Sequence, residues 1–255
     1  MNYLDLAKKS ALEAGELLLQ YLGKITSYEL KSPKSVLTEA DTAAEKLIIN
    51  TIKSQYPDHG ILAEESGDNV KGAKNIWIID PLDGTTNFAH AYPFFSVSIA
   101  LQIDGEVVVG VIYNPVKKEL FSAHKGKGAY LNNNPISVSK VDDLELSHLV
   151  TGFVYEHDWM VKKNLEYFEQ FIYKSQAVRR DGSAALDLCY VACGRFDGFW
   201  EMGLNPWDTA AGVLILREAG GIVTNFSGTE FTLDSVELLG SNRLLHEVML
   251  KILNI

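Results

Sequence analysis

Ile76-Trp77-Ile78-Ile79-Asp80-Pro81-Leu82-Asp83-Gly84-Thr85-Thr86-Asn87-Phe88 is the stretch on which the reading of this chain turns. Its apolar run, Ile76 to Ile79, reads as a buried strand. Pro81 has no N–H to give a ladder, so the strand is expected to break there. Asp80 and Asp83 are then left at the strand end, close enough to share cations. Gly84, Thr85 and Thr86 follow at once and can offer backbone N–H groups and hydroxyls to an anion. The same residues also read as an Asx turn that closes a buried strand. On this stretch alone both readings stand.

A chain of 255 residues allows one large domain or two intimate halves. Its hydrophobic content of 47% is enough for a substantial core. The formal net charge of -10 argues against a protein whose main affinity comes from nucleic-acid phosphates. It suits a site that concentrates carboxylates for divalent cations, although a solvated acidic surface accounts for most of such an excess. Cys189 and Cys193 lie four apart in a helical pattern and read as small buried residues in a reducing compartment. Met1 to Lys9 carries Asp5, Lys8 and Lys9 and no continuous apolar segment, so no signal peptide is visible. The apolar runs fall short of the ~20 residues that cross a bilayer. The expectation is a soluble cytoplasmic protein with no membrane partner.

In chain order, residues 3–22 carry apolar side chains at three and four spacing and read as an amphipathic helix ending near Gly23. Residues 24–37 read as a loop or weak hairpin. Thr38-Glu39-Ala40-Asp41 fits a capping box before a second helix that stops ahead of Tyr56-Pro57, which gives Asp41 the plain role of a cap. Gly60 to Ala63 is a short strand running into Glu64-Glu65, and 68–75 reads as a polar loop. Two apolar runs flanking Asp104-Gly105 are the clearest hairpin. Lys125-Gly126-Lys127-Gly128 lacks a following helix and the Walker spacing, so it reads as a turn. Residues 1–144 are thus a helix pair with an antiparallel sheet.

From about 145 helices and strands alternate, which reads as α/β layering. The helix over 159–174 is expected to bury Leu165, Phe168, Phe171 and Ile172. Asp181-Gly182-Ser183 opens a helix over 183–193, and Asn205-Pro206-Trp207-Asp208 caps one over 209–219. No repeat or linker separates the halves, so 1–255 is expected to form one unit.

Glu64, the Asp80/Asp83 pair and Asp208 all stand at the ends of elements. Each has a bland account as a cap or a solvated turn. Gathered together, they would repel one another and need cations. Oxygen-only ligands select Mg²⁺, Mn²⁺ or Ca²⁺ over zinc or copper. Two such ions roughly 3.5–4 Å apart would clamp an in-line phosphoryl displacement. The six histidines are scattered and form no ligand set.

Asp80-Pro81-Leu82-Asp83-Gly84-Thr85-Thr86-Asn87-Phe88, Trp207-Asp208-Thr209-Ala210-Ala211-Gly212 and the Ala63-Glu64-Glu65-Ser66-Gly67 turn together resemble the inositol monophosphatase family of sugar phosphatases. The resemblance runs from the first helix to the last. Gly194 to Glu201 is similar to the bacterial members. It implies an αβαβα sandwich, Mg²⁺ dependence and a homodimer. By motif, Glu64, Asp80 and the Leu82 carbonyl would hold a first metal. Asp80, Asp83 and Asp208 would hold a second. A third would lean on Glu64 with Glu65 nearby, and Lys31 matches a loop lysine beside it. Thr85 paired with Asp41 would orient and deprotonate the attacking water. The amides of Gly84 and Thr85 would bind phosphate. Glu201, the backbone at Ser183-Ala184 and Asp208 would meet the sugar hydroxyls.

The implied reaction is hydrolysis of inositol 1-phosphate, or a related polyol or sugar monophosphate, by direct attack of a water activated at the metal. Mn²⁺ would substitute, and Ca²⁺ and Li⁺ would inhibit. The same metal core serves fructose 1,6-bisphosphate, NADP and 3′-phosphoadenosine 5′-phosphate. The Thr85-Thr86-Asn87-Phe88 tail and Glu201 favour a polyol, and the sequence offers no basic or stacking group for a nucleotide. Loops 67–75 and 154–160 are candidates for the pocket wall. A reading of another class is a regulatory protein that binds transcription machinery. The intact acids argue that catalysis is retained beside any such role.

Overall fold

The computed structural model describes residues 1–24, 29–32, 35–70, 72–154 and 158–254. In the first half the elements are α1 (Tyr3–Tyr21), β1 (Glu29–Ser32), β2 (Ser35–Leu37), α2 (Glu39–Gln55), β3 (Gly60–Ala63), β4 (Gly67–Asn69), β5 (Asn75–Asp83), α3 (Thr85–Ala89), β6 (Ser96–Ile103), β7 (Glu106–Asn114), β8 (Glu119–His124), β9 (Ala129–Leu131) and β10 (Asn134–Pro135). The second half contains β11 (His148–Thr151), α4 (Asp158–Lys174), β12 (Ala177–Arg179), α5 (Ala184–Ala192), β13 (Gly198–Met202), α6 (Pro206–Glu218), β14 (Ile222–Thr224), β15 (Glu237–Ser241) and α7 (His246–Leu253).

Amphipathic helices and two-faced strands can bury their apolar sides only by stacking in layers, and three apolar cores record that stacking. Leu6, Leu18, Ile48 and Ile52 of α1 and α2 pack on Trp77, Ile79 and Ile99 of an eight-stranded sheet ordered β10-β9-β8-β7-β6-β5-β3-β4. The opposite face of that sheet, with Ile78, Ala100 and Ile112, meets Leu188, Ala211 and Ile215 of α5 and α6. Those helices also cover Val150, Phe199 and Leu238 of a five-stranded sheet ordered β12-β11-β13-β15-β14. Its outer face, with Leu149, Trp200 and Leu239, is closed by Phe171 of α4 and Met249 of α7. The order helix, sheet, helix, sheet, helix is the expected αβαβα sandwich. Among the described residues, no helix is long and apolar enough to cross a membrane.

The structure corrects several local expectations. Pro81 does not break its strand. β5 pairs with β6 through Asp80–Ser98, bulges at Pro81-Leu82, and resumes at Asp83–Ser96. A bulge admits a residue without an N–H and re-aims the side chains beside it. Gly67–Asn69 is an edge strand, not loop. In α4 the buried residues are Met160, Asn164, Tyr167 and Phe171, whereas Leu165 and Ile172 face solvent at 52% and 49% exposure. A run with apolar residues on more than one face leaves the phase of its stripe open. α6 begins earlier than expected, with Pro206 in its first turn and Asn205 as the N-cap, which makes Asp208 the third helical residue. The glycine-rich turn 125–128 is a turn as read, and the amides of Gly126 and Gly128 each donate to the Glu218 carboxylate at 2.8 Å.

Candidate active site

The bulge at Asp80–Asp83 opens into a cavity of about 420 Å³ where the two sheets and the α5 and α6 N-termini meet. Two of its acids come from neighbouring parallel strands. Glu64 follows β3, and its N–H donates to Ile79 O of β5 at 3.2 Å, so its position is tied to the strand that carries Asp80. The next turn is held in place by Glu45 of α2, which accepts the N–H groups of Glu65 and Ser66 at 2.9 Å each.

Asp80 accepts the Leu82 N–H at 2.9 Å. This is the Asx-type bond of the plain reading, and the same residue lines the cavity, so the two readings of the opening stretch coexist. Asp83 is clasped from both halves of the chain. Its Oδ2 accepts the Ser183 hydroxyl, the Ala185 N–H at 3.1 Å and the Ser96 hydroxyl at 3.4 Å. Asn87 reinforces this junction by donating its side-chain amide to Phe94 O at 2.7 Å and Asp181 O at 2.9 Å. Asp208 reaches back to its own N-cap and accepts the Asn205 N–H at 2.7 Å.

Gly84 separates the strand from the short helix α3 at φ 92°, where a side chain would be strained. A Cβ there would also come within 3.1 Å of Phe94 O. The next residue, Thr85, has its Oγ1 2.9 Å from Leu82 O and 3.1 Å from Asp41 Oδ1. Asp41 is fully buried, and its other oxygen accepts the Thr38 N–H at 2.9 Å and hydroxyl at 2.5 Å. It is therefore both the capping-box acid of α2 and a partner of Thr85.

Glu64, Asp80, Leu82, Asp83, Gly84 and Thr85 line one end of the cavity, and Ser183, Ala184, Glu201 and Asp208 line the rest with others. Of the anticipated residues, Asp41 stands behind this wall in contact with Thr85, and Glu65 does not contribute to the lining. The backbone of Lys31 lies in β1, and its side chain falls outside the described residues. Of the loops named as wall candidates, Val154 lines the cavity, 155–157 and 71 lie outside the described residues, and none of the described residues of 67–75 is part of the lining. Sequence reasoning passed over Gly152, Phe153, Arg180 and Asp187, all of which line it. Phe153 and Arg180 are an aromatic and a basic side chain of the kind that sequence reasoning did not place in the pocket. A Cβ at Gly152 would meet the Glu201 carboxylate, so a side chain there would have to displace it. Gly152 and Arg180 directly follow β11 and β12, so the strand ends were the signal that could have found them; Asp187 lies inside α5 and offers no such signal.

The acids press on one another. Burial first, then Glu64, Asp83 and Asp208, push the Asp80 carboxyl well above the ordinary carboxylate range. Burial raises Asp208 to about 8 and Asp83 to about 6, the latter held back by Ser183 and Ala185. Glu201 is pushed up to about 8, by burial and then by Asp208. Arg180 is the one cationic side chain in the lining among the described residues.

This donor set suits a hard divalent cation: crowded carboxylate oxygens, a bulged strand carbonyl and no competing sulfur or imidazole. Among the described residues, no three acidic, His or Cys side chains are already drawn together as a finished metal centre. The fit rests on donor chemistry and on charges that a cation would relieve.

The layered αβαβα fold thus brings a group of carboxylates and the Gly84-Thr85 turn together in one junction cavity. The chain belongs to the inositol monophosphatase family, whose model matches residues 2–255. It is 46% identical over 248 residues to an inositol-1-monophosphatase of Synechocystis sp., covering 96% of this chain and 86% of that protein. It is 40% identical over 246 residues to the Nus factor SuhB of Pseudomonas aeruginosa, covering 94% and 91%. The solved inositol monophosphatase of Anabaena (Nostoc) sp. superposes with a TM-score of 0.90 at 44% identity, covering 99% of this chain and 95% of that one.

Proposed function

We propose that the protein is a Mg²⁺-dependent phosphomonoesterase that releases phosphate from inositol 1-phosphate or a related polyol or sugar monophosphate, with no covalent phosphoenzyme. The observation that carries this reading is the junction cavity itself, where Glu64, Asp80, Asp83 and Asp208 share the lining with Gly84 and with Thr85, the partner of Asp41. Mg²⁺ or Mn²⁺ ions held by Glu64, Asp80, the Leu82 carbonyl, Asp83 and Asp208 would supply charge neutralisation and Lewis acidity at the phosphoryl group. Glu65 and Lys31 belong to the periphery of that set.

The chain's own groups do the rest. The Gly84 and Thr85 amides bind the phosphate oxygens and fix phosphorus in line with the attacking water. Thr85 Oγ1 accepts a proton from that water and passes its own to Asp41 Oδ1, 3.1 Å away. Asp41 is suited to this because its Oδ2 is anchored by Thr38, which holds the carboxylate still. Glu201, Asp208 and the backbone at Ser183-Ala184 orient the alcohol through its hydroxyls. The reading extends to inhibition by Li⁺ and Ca²⁺ and to a homodimer.

Arg180 favours a second reading within the same chemistry, an alcohol with a second phosphate such as fructose 1,6-bisphosphate, because a guanidinium in an otherwise acidic wall suits that anion. The similarity to the Pseudomonas aeruginosa Nus factor SuhB supports a further role in binding transcription machinery. A strain carrying Asp83→Asn separates that role from catalysis, since a binding function survives loss of turnover. The deciding assay for substrate is phosphate release with Mg²⁺ from inositol 1-phosphate, fructose 1,6-bisphosphate, glycerol 2-phosphate, NADP and 3′-phosphoadenosine 5′-phosphate. The polyol reading predicts the highest kcat/KM for inositol 1-phosphate. Preference for a nucleotide contradicts it.

A further inference from the structure

Asp187 lies one helical turn beyond Ser183 on α5, and its N–H donates to Ser183 O at 2.9 Å. It is 1% exposed, between Leu186 and Leu188. Its Oδ1 has no protein hydrogen-bond partner. Among the described residues the other buried polar side-chain atoms in that position are Ser10 Oγ, Asn114 Nδ2 and His148 Nε2, and none of those residues lines the cavity. Asp187 does.

A buried polar atom left without a partner is costly, and in a folded protein it marks a water, a ligand or a catalytic duty. The surroundings of Asp187 narrow the choice. Burial and the like charges of Asp181, Glu201 and Asp83 push its carboxyl well above the usual range, with Arg180 as the opposing influence. Glu201 and Arg180 share the same lining. An alcohol hydroxyl, donor and acceptor at once, can pair with a carboxyl oxygen in either protonation state.

We propose that Asp187 is a specificity-determining residue at the alcohol end of the cavity, where its carboxyl meets a hydroxyl of the substrate alongside Glu201 and selects polyhydroxylated esters over esters whose alcohol has no neighbouring hydroxyl. The inference rests on the phosphomonoesterase reading and adds a second carboxyl to the groups that read the alcohol. A site built to hydrogen-bond a hydroxyl rejects analogues that lack it, because its buried group is then left unpaired.

The test compares wild type, Asp187→Asn and Asp187→Leu on inositol 1-phosphate and on 4-nitrophenyl phosphate, whose alcohol half has no hydroxyl. Asp187→Leu is expected to lose at least about tenfold in kcat/KM for inositol 1-phosphate, mainly through KM, with the aryl ester changed by less than about twofold. Asp187→Asn, which can still donate and accept, recovers most of the loss. Free inositol, as a competitive inhibitor of aryl ester hydrolysis, weakens by the same factor in Asp187→Leu. Equal losses on both esters, or no loss on either, would overturn the proposal. If Asp187→Leu does not fold, Asp187→Ala carries the comparison, on the two esters and in the inhibition constant for free inositol. A wild-type protein inactive on both esters sinks the phosphomonoesterase reading instead, which is a distinct result.

Discussion

Thr85 Oγ1 lies 3.1 Å from Asp41 Oδ1, although 44 positions separate the two residues in the chain. The contact joins the N-terminus of α2 to the turn after β5. It gives Asp41 two separable duties, since Oδ2 caps the helix and Oδ1 faces Thr85. Thr85→Ala should lower kcat by about 10²–10⁴-fold, the usual scale for losing a general base, with little change in Tm. Asp41→Asn keeps an acceptor for the Thr38 groups and should show the same activity loss with near-normal stability. Asp41→Ala should lose activity and in addition about 1–2 kcal/mol of stability through the cap. Urea unfolding beside steady-state kinetics separates these outcomes, and normal turnover by Asp41→Asn would remove Asp41 from the reaction.

The raised carboxyls give a signed pH dependence. Asp208 and Glu201 titrate near 8 in the folded protein, against ordinary values of 3.8 and 4.5. In the folded state they hold protons that the unfolded chain has already lost, so their contribution to stability is complete below about pH 4 and is lost as pH rises toward 8. Metal-free protein should therefore show a falling Tm between about pH 6.5 and 8, at up to about 1.4 kcal/mol per pH unit for each proton. His246, pushed down to about 4 by burial, does not offset this in that window. Saturating Mg²⁺ should flatten the slope, stabilise most at the high end, and release protons on binding. Calorimetry with and without Mg²⁺ reads all three, and a metal-free Tm that rises across this window contradicts the crowding of the acids.

Glu218 ends α6, the helix whose first turn carries Asp208. Its carboxylate fills the glycine-rich turn through Gly126 and Gly128. Glu218→Ala leaves those amides to solvent and should cost about 1–2 kcal/mol, while Glu218→Gln retains part of it. Activity at saturating Mg²⁺ should stay within about twofold, because the helix is held along its length by the core between the sheets. Denaturant titration checks the first expectation and kcat the second.

Gly152 leaves the room in which the Glu201 carboxylate sits. Gly152→Ala must displace Glu201 or shift β11, at about 1–3 kcal/mol for the overpacking. Substrate selection should suffer more than turnover, with KM for inositol 1-phosphate up by about tenfold and 4-nitrophenyl phosphate less affected. Unchanged KM for the polyol ester would detach Glu201 from alcohol recognition.

Much of the fold was legible because the strands and helices carry strong periodicity. Examples are the hairpin at Asp104-Gly105 and the capping box at Thr38 to Asp41. The cavity acids could be found because strand ends and helix starts advertise themselves with Gly, Pro and Asp. Pro81 misled because a proline that breaks a ladder and one that sits in a bulge look alike until the partner strand is known. In α4, Leu165 and Ile172 misled because a helix with several apolar faces needs its neighbours to choose among them. Arg180, Gly152 and Asp187 were passed over because their roles depend on tertiary neighbours such as Glu201 that are distant in the sequence. Asp187 in particular reads as one polar residue in an apolar helix, with no local signal of what it faces.

The central claim is that the crowded acids at the junction of the two sheets carry a Mg²⁺-dependent hydrolysis. Asp83 is its most direct test, since its carboxylate lies at the strand end and is held by Ser183, Ser96 and Ala185. Asp83→Asn keeps the shape and the acceptor but removes a charge. The measurement is phosphate release from inositol 1-phosphate by wild type and Asp83→Asn across a Mg²⁺ titration, with circular dichroism to verify the fold. The account predicts Mg²⁺-dependent release by the wild type and a loss of at least about 10²-fold in a folded Asp83→Asn. Near wild-type release by Asp83→Asn, or wild-type activity indifferent to Mg²⁺, would contradict it.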